Sequence, residues 1–314
     1  MTGLAADPLC LKHDTGYGHP ERGERYEAVI AGLEEAGLVT GMRRIAGRDA
    51  TREELRRAHA SHYLDIAKHD IDEGAPELRT GDTAVCEGSW EAAVRAAGLA
   101  VSAVDAVMTG QVGNAFCAVR PPGHHATGER GMGFCIFNNV AIATRHAQAA
   151  HGAERVLIVD WDVHHGNGTQ DIFYADGTVL FFSTHQWPAY PGTGRRSERG
   201  MGAGEGLTIN CPLPEGSGPA EVVGAMRDEL APAAEGFKPE VVLISAGFDS
   251  REGDPLGGFT LRDRDFAEMT RMVMGIAETH AKGRVISMLE GGYNLGTLGG
   301  AVAAHVGALM GTGR

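Results

Sequence analysis

Apolar positions follow two rhythms along this chain. Six short runs, 115–119, 156–159, 179–183, 207–210, 241–245 and 285–289, are β-rich and apolar along almost their whole length. Between and around them lie amphipathic or alanine-rich stretches with helical spacing, at 21–36, 52–59, 89–108, 138–150, 219–234, 262–280 and 298–310. Thr51 and Glu54 have the form of a capping box, and Thr260 with Asp263 gives a related start signal. Strands apolar on both faces need cover on both faces. The alternation therefore predicts an α/β fold with a mostly parallel sheet flanked by helices on each side. No repeat, low-complexity linker or charge block divides residues 1–314, so a single domain is expected.

The residues that follow the strands carry the chemistry. Run 115–119 leads into Arg120-Pro121-Pro122-Gly123-His124-His125, and 156–159 into Asp160-Trp161-Asp162-Val163-His164-His165-Gly166-Asn167-Gly168. Run 241–245 leads into Ala246-Gly247-Phe248-Asp249, and 285–289 into Glu290-Gly291-Gly292-Tyr293. Ligands of open α/β sheets bind at the carboxyl ends of strands, so these four segments are expected to converge. In an extended chain Asp160, Asp162 and His164 share one face, which favours a metal grip over plain turn punctuation. Asp162, His164 and Asp249 form an oxygen–nitrogen–oxygen ligand set with an open position, the pattern of a catalytic zinc site. Taken alone, Asp249 reads equally well as a cap or turn residue. His124 and His125 offer a general base and acid, although an isolated His pair is more commonly structural. Asp160 and Asn167 suit partners that fix imidazole tautomers. Tyr293, beside two glycines, can donate a hydrogen bond to an oxyanion; a packed core tyrosine is its plain alternative.

Composition narrows the partners. Lys plus Arg number 28 against 41 Asp plus Glu, a net charge of −13, which disfavours direct nucleic-acid binding and admits basic or polyamine-like substrates. The 46 glycines are scattered without a period, as in a chain with many tight loops. Cys10, Cys86, Cys117, Cys135 and Cys211 form no CxxC pair, arguing against disulfides and thiolate zinc and for a reducing, cytoplasmic setting. Residues 1–14 lack a leader pattern, and no apolar run is long enough for a membrane span. The loop 184–205, rich in Gly, Arg and Pro, reads first as a solvated rim and second as a contact between copies of the chain, a homo-oligomer.

Six segments in order, Arg120 to His125, Gly133-Phe134-Cys135-Ile136-Phe137-Asn138-Asn139, Asp160 to Gln170, Ser245 to Asp249, Asp254-Pro255-Leu256-Gly257-Gly258 and Leu289 to Tyr293, resemble the motif set of the histone deacetylase superfamily. The likeness runs from about His19 almost to the C-terminus. Asn167 stands where class I members carry Asp, so the chain is most similar to the class II branch and to bacterial deacetylase-like amidohydrolases. The resemblance implies an arginase-deacetylase fold and zinc-dependent hydrolysis of an N-acyl amide. It implies Asp162, His164 and Asp249 as zinc ligands, His125 as general base and acid, and His124 paired with Asp160 as its electrostatic partner. Tyr293 would polarise the carbonyl; class IIa vertebrate members replace it with His and are feeble deacetylases. Phe134 and Tyr190 match channel walls. Potassium would sit at Asp160, Asp162, His164, Ser183 and Thr184, and a second, peripheral potassium would use backbone oxygens around Phe173, Asp176, Val179 and Leu207. Acylated lysine in proteins is the leading substrate. Acetylpolyamine comes next, weakened by Leu256 where polyamine-selective relatives place a carboxylate. A binuclear manganese ureohydrolase lacks its Asp-x-x-x-Asp ligands here, and a non-catalytic acyl-lysine binding module would be expected to have lost a ligand, His125 or Tyr293. Fe(II) accepts the same ligand set as zinc.

Overall fold

All six apolar runs form strands, and two further strands join them at one edge. The computed structural model describes residues 1–312 of the 314-residue chain. Its strands are β1 (Thr2–Ala6), β2 (Arg43–Ile45), β3 (Asn114–Ala118), β4 (Val156–Asp160), β5 (Val179–Gln186), β6 (Thr208–Leu213), β7 (Val241–Ala246) and β8 (Val285–Leu289). They make one eight-stranded sheet in the order β2-β1-β3-β8-β7-β4-β5-β6, with every neighbouring pair parallel. The helices are α1 (Glu24–Glu35), α2 (Arg52–Arg56), α3 (Ser61–Asp72), α4 (Ser89–Met108), α5 (Asn139–His151), α6 (Asn167–Phe173), α7 (Pro219–Ala225), α8 (Ala231–Phe237), α9 (Asp263–His280) and α10 (Leu295–Leu309). Helices α4 and α5 pack together, and α1, α9 and α10 form a second packed group. Every residue of β3, β4, β7 and β8 is buried, as strands covered on both faces require. Among the described residues no helix is long and apolar enough to cross a membrane.

Several boundaries differ from the sequence expectation for local reasons. The 219–234 stretch is interrupted by a π-helical turn, Met226–Leu230, between α7 and α8. The capping box at Thr51 and Glu54 forms, with the Glu54 amide donating to Thr51 Oγ1 at 3.2 Å. The start signal at Thr260 and Asp263 does not: α9 begins two residues later, where the Arg262 amide donates to Asp265 Oδ2 at 2.8 Å. Thr260 instead donates to the Ser217 carbonyl. Strands β1 and β2 lack a β-branched run; β1 is a Gly- and Ala-rich segment, and β2 is only three residues long. Helix α3 buries Tyr63, Leu64, Ala67 and Ile71, a helical spacing diluted by surrounding charge.

Sheet order brings the chemistry together. Strands β3, β8, β7 and β4 are consecutive neighbours, so the four reactive strand ends lie side by side. A fully buried ion network anchors the floor beneath them. Glu21 receives Arg120 Nε at 2.5 Å and Arg25 Nη1 at 3.1 Å, and Arg25 also donates to the carbonyls of Gly292 (2.6 Å) and Glu290 (2.5 Å). Burial alone would raise the Glu21 pKa, yet Arg120 and His13 hold it well below the usual carboxylate range. Glu21→Gln would leave two buried guanidiniums short of countercharge. It is expected to destabilise the fold by about 3–5 kcal/mol, read as a lower urea midpoint at neutral pH.

Candidate active site

At the end of β4 the chain leaves the extended conformation, and turns rather than strand alternation aim Asp162 and His164. Asp162, His164 and Asp249 each offer a ligand atom within 4.8 Å of the others. Each carboxylate is held by backbone. Asp249 Oδ1 accepts from the Val163 amide at 2.9 Å, and Asp162 Oδ2 from the Gly291 amide at 2.8 Å. Their other oxygens, Asp249 Oδ2 and Asp162 Oδ1, both lie 3.1 Å from His164 Nδ1. A single N–H cannot serve two acceptors well, whereas a divalent cation satisfies all three atoms. The donor set thus fits zinc. Glycine is required around it: a Cβ on Gly291 would lie 2.1 Å from Asp249 Oδ2 and 2.6 Å from Asp162 Oδ2, and one on Gly247 2.2 Å from Asp162 Oδ2. Burial and the Asp162 charge push Asp249 up to about 7, the repulsion a bound cation would relieve.

The paired imidazoles sit in different fields. His124 Nδ1 donates to Asp160 Oδ2 at 2.9 Å, and His125 Nδ1 donates to the Asn167 carbonyl oxygen at 2.8 Å. Burial alone would lower the His124 pKa, but Asp160 and Asp162 raise it well above the ordinary imidazole value. For His125, burial and the neighbouring His124 and His164 act together and lower it well below that value. One ring is therefore biased toward the imidazolium and the other toward the neutral form, with His125 Nε2 free. Burial chiefly, and the Asp249 charge with it, keep the Tyr293 phenol protonated against the pull of Arg25, whose guanidinium lies 4.8 Å over its ring.

Above these groups a cavity of about 330 Å³ is lined by Asp82, His125, Gly133, Phe134, His164, Ala189, Tyr190, Leu256 and Tyr293. Tyr190 meets His125 edge-on at 5.1 Å, and Phe134 meets Tyr293 edge-on at 5.9 Å. Phe134 has φ 68°, a left-handed conformation that costs a bulky residue free energy and is held here by its surroundings. Leu256 is 40% exposed at the mouth.

Known proteins share this sequence pattern and fold. Residues 19–309 match the histone deacetylase domain. The chain belongs to the histone deacetylase family. It is 40% identical over 297 residues to a probable deacetylase of Archaeoglobus fulgidus, covering 94% of this chain and 82% of that protein. It is 39% identical over 311 residues to the histone deacetylase-like amidohydrolase of Pseudomonas aeruginosa, covering 93% and 82%. The crystal structure of the HDA15 HD domain superposes with a TM-score of 0.94 at 39% identity, covering 99% of this chain and 89% of that one. The sheet and helices are accordingly of the arginase-deacetylase type.

Within this histone deacetylase fold, the potassium candidates are placed unevenly. Ser183 stands opposite Asp160 in the β4–β5 ladder, with Thr184 next, although Ser183 Oγ is also paired with His185 Nδ1 at 2.9 Å. Of the second set, the Phe173 carbonyl accepts from the Asp176 amide and the Leu207 carbonyl from the Phe181 amide, while Val179 opens β5. The Asp176 carboxylate already faces the Arg145 guanidinium at 2.6 Å. Three contributors had no assigned role in the sequence reading. Glu290 Oε2 accepts from the Gly123 and His124 amides at 2.6 and 3.1 Å and fixes the imidazole turn; burial pushes it up to about 7. Asp254 Oδ2 accepts from the Tyr293 and Asn294 amides, and Asp82 Oδ1 from the Gly133 amide and the Tyr190 hydroxyl. The available signal for Glu290 was its place, an acid directly after a buried strand like Asp160. Gly291→Ala is expected to weaken zinc binding by about 10–100-fold, measured by equilibrium dialysis. Unchanged affinity would refute the close cradle.

Proposed function

We propose that this protein is a zinc-dependent amidohydrolase that removes acetyl or other acyl groups from lysine side chains. One observation carries the reading: a three-atom metal-ligand set, two oppositely tuned imidazoles and a neutral phenol meet at the foot of one narrow, mainly apolar cavity. Asp162, His164 and Asp249 would hold zinc, which when bound supplies a Lewis acid for the amide carbonyl and acidifies water. His125 Nε2 takes the proton of the attacking water and later delivers it to the departing amine nitrogen. Asn167 keeps the His125 Nδ1 proton in place, so Nε2 remains the acceptor. His124, protonated through Asp160, contributes positive charge and retains its own proton. Tyr293 donates its hydroxyl hydrogen to the carbonyl oxygen as negative charge develops there. Phe134 and Tyr190 confine a linear acylated chain and exclude bulk water.

The proposal extends to potassium, better supported at Asp160, Asp162, His164, Ser183 and Thr184 than at the second position, where the Phe173 and Leu207 carbonyls already accept from backbone amides. Acetylpolyamine hydrolysis is the competing reading. It is favoured by the net charge of −13 and the Asp82 carboxylate on the cavity wall, and disfavoured by apolar Leu256 at the mouth. A binuclear centre has little support, because the Asp-x-x-x-Asp ligands it needs are missing from the strand-end segments.

Turnover of acetyl-lysine peptides, longer acyl-lysines and acetylated polyamines by zinc-loaded protein tests the reading. Acetyl-lysine is expected to be cleaved, with Tyr293→Phe losing about 10²–10³-fold in kcat and little in KM. Cleavage of polyamines alone would sink the lysine assignment. A second outcome concerns pH. A carboxylate beside Nδ1 favours the imidazolium, so Asn167→Asp raises the His125 pKa and the base is lost at higher pH. The acid limb of the kcat/KM profile is expected to move upward by about 1–2 units.

A further inference from the structure

A second group of convergent ligands lies away from the cavity. Asp105 is in the last turn of α4, and His146 and His151 are in the second half of α5. The Nε2 atoms of both imidazoles approach the same oxygen, Asp105 Oδ1, each at 2.7 Å, and their rings are 5.7 Å apart. Together with the active-site trio, this is one of two such groups among the described residues. Helix α5 ends where the chain turns into the amino end of β4, and α4 where it turns toward the amino end of β3. The cluster therefore sits at the edge of the sheet opposite the strand ends that carry the active site. His146 is nearly buried, His151 mostly buried, and the Asp105 side chain is 40% exposed, which leaves an ion a route in from solvent.

We propose that Asp105, His146 and His151 form a second site for a divalent transition ion, zinc being the probe of choice, that clamps α4 to α5. Two imidazole nitrogens and one carboxylate are the donor set that zinc, nickel and copper accept, with a fourth position left to water. A tetrahedral ion with bonds of about 2.0 Å sets its ligand atoms about 3.3 Å apart, so the trio opens by roughly 0.6 Å on binding. The active-site trio, at 3.1 Å, has to open as well. Behind His146 stands a fixed carboxylate: Glu54 Oε1 is 3.5 Å from Nδ1 and is itself pinned by Arg48. A carboxylate in that position orients a metal-bound imidazole and raises its basicity. The competing arrangement needs no ion. Arg57 Nη1 lies 3.3 Å from His146 Nδ1, and donation there would leave Nε2–H to bond Asp105 directly.

Zinc counting on the whole, folded chain separates the two. Protein stripped with chelator and dialysed against buffered micromolar zinc is expected to hold two ions per chain. His151→Gln and Asp105→Asn are each expected to hold one, with amide turnover within about twofold of the parent, since neither residue lines the cavity. Asp249→Asn is expected to hold one ion and lose activity. Zinc should also raise the thermal midpoint of Asp249→Asn, and this rise should vanish in the Asp249→Asn/His151→Gln double variant, because an ion bound only to the folded state stabilises it. One ion per parent chain, unaffected by His151→Gln, would overturn the site in favour of a hydrogen-bonded cluster. Two ions with turnover abolished by His151→Gln would overturn it as well, by tying the second ion to catalysis. Asp105→Asn preserves shape at a half-exposed position, so the count can be read even if His151→Gln folds poorly.

Discussion

Four carboxylates, Asp160, Asp162, Asp249 and Glu290, are buried almost completely at the ends of three adjacent strands. Among the described residues no Lys or Arg forms an ion pair with them; the positive partners are the imidazoles of His124 and His164. Buried charge at this density is strongly unfavourable unless each oxygen has a donor and the net charge is offset. The organisation of the site follows from meeting both conditions. Backbone amides of Asp162, Val163, Gly291, Gly123 and His124 supply donors, and protons on imidazoles, or a bound cation, supply charge.

That constraint explains why small residues surround the carboxylates. Where the backbone itself passes against a buried oxygen, as at Gly291, whose amide donates to Asp162 Oδ2, no room is left for a side chain. Gly291, Gly247 and Gly166 each have a carboxylate oxygen within about 2.1–2.2 Å of where a Cβ would stand. The same constraint splits the two histidines. His124 borrows negative charge from Asp160 and remains protonated; His125, given only a neutral amide oxygen, pays burial in full and stays neutral. A charged partner, Asp160, against a neutral one, Asn167, adds to burial and the neighbouring charges in shifting two adjacent imidazoles in opposite directions.

The sequence made the floor of the candidate site legible because strands covered on both faces are written as continuous apolar runs, and polar residues directly after such runs stand out. Asp162, His164, Asp249, His125 and Tyr293 were all visible in this way, and the sheet order makes their segments neighbours. The edge strands were not visible: β1 is built from Gly and Ala, and β2 is too short to show a period. Glu290 lay in a recognised segment, but its part depends on donors from residues 123, 124 and 245, a relation that exists only in three dimensions. Asp254 and Asp82 were hidden for the same reason, since aspartates in loops are common and only the fold shows which amides they hold.

Floor and walls therefore have different physical origins. The floor is set by strand ends in a parallel sheet, where backbone amides hold the carboxylates at 2.6–3.1 Å. The walls come from loops: Phe134 in a left-handed conformation, Tyr190 tethered by its hydroxyl to Asp82, and Leu256 on a turn closed by Asp254. Asp82 couples two of these loops, because the oxygen that receives Tyr190 also receives the Gly133 amide just before Phe134. Two wall loops thus share one carboxylate anchor that is not among the ligand trio. Substrate preference can change through the loops while the buried charges, which tolerate little rearrangement, keep the reaction itself unchanged.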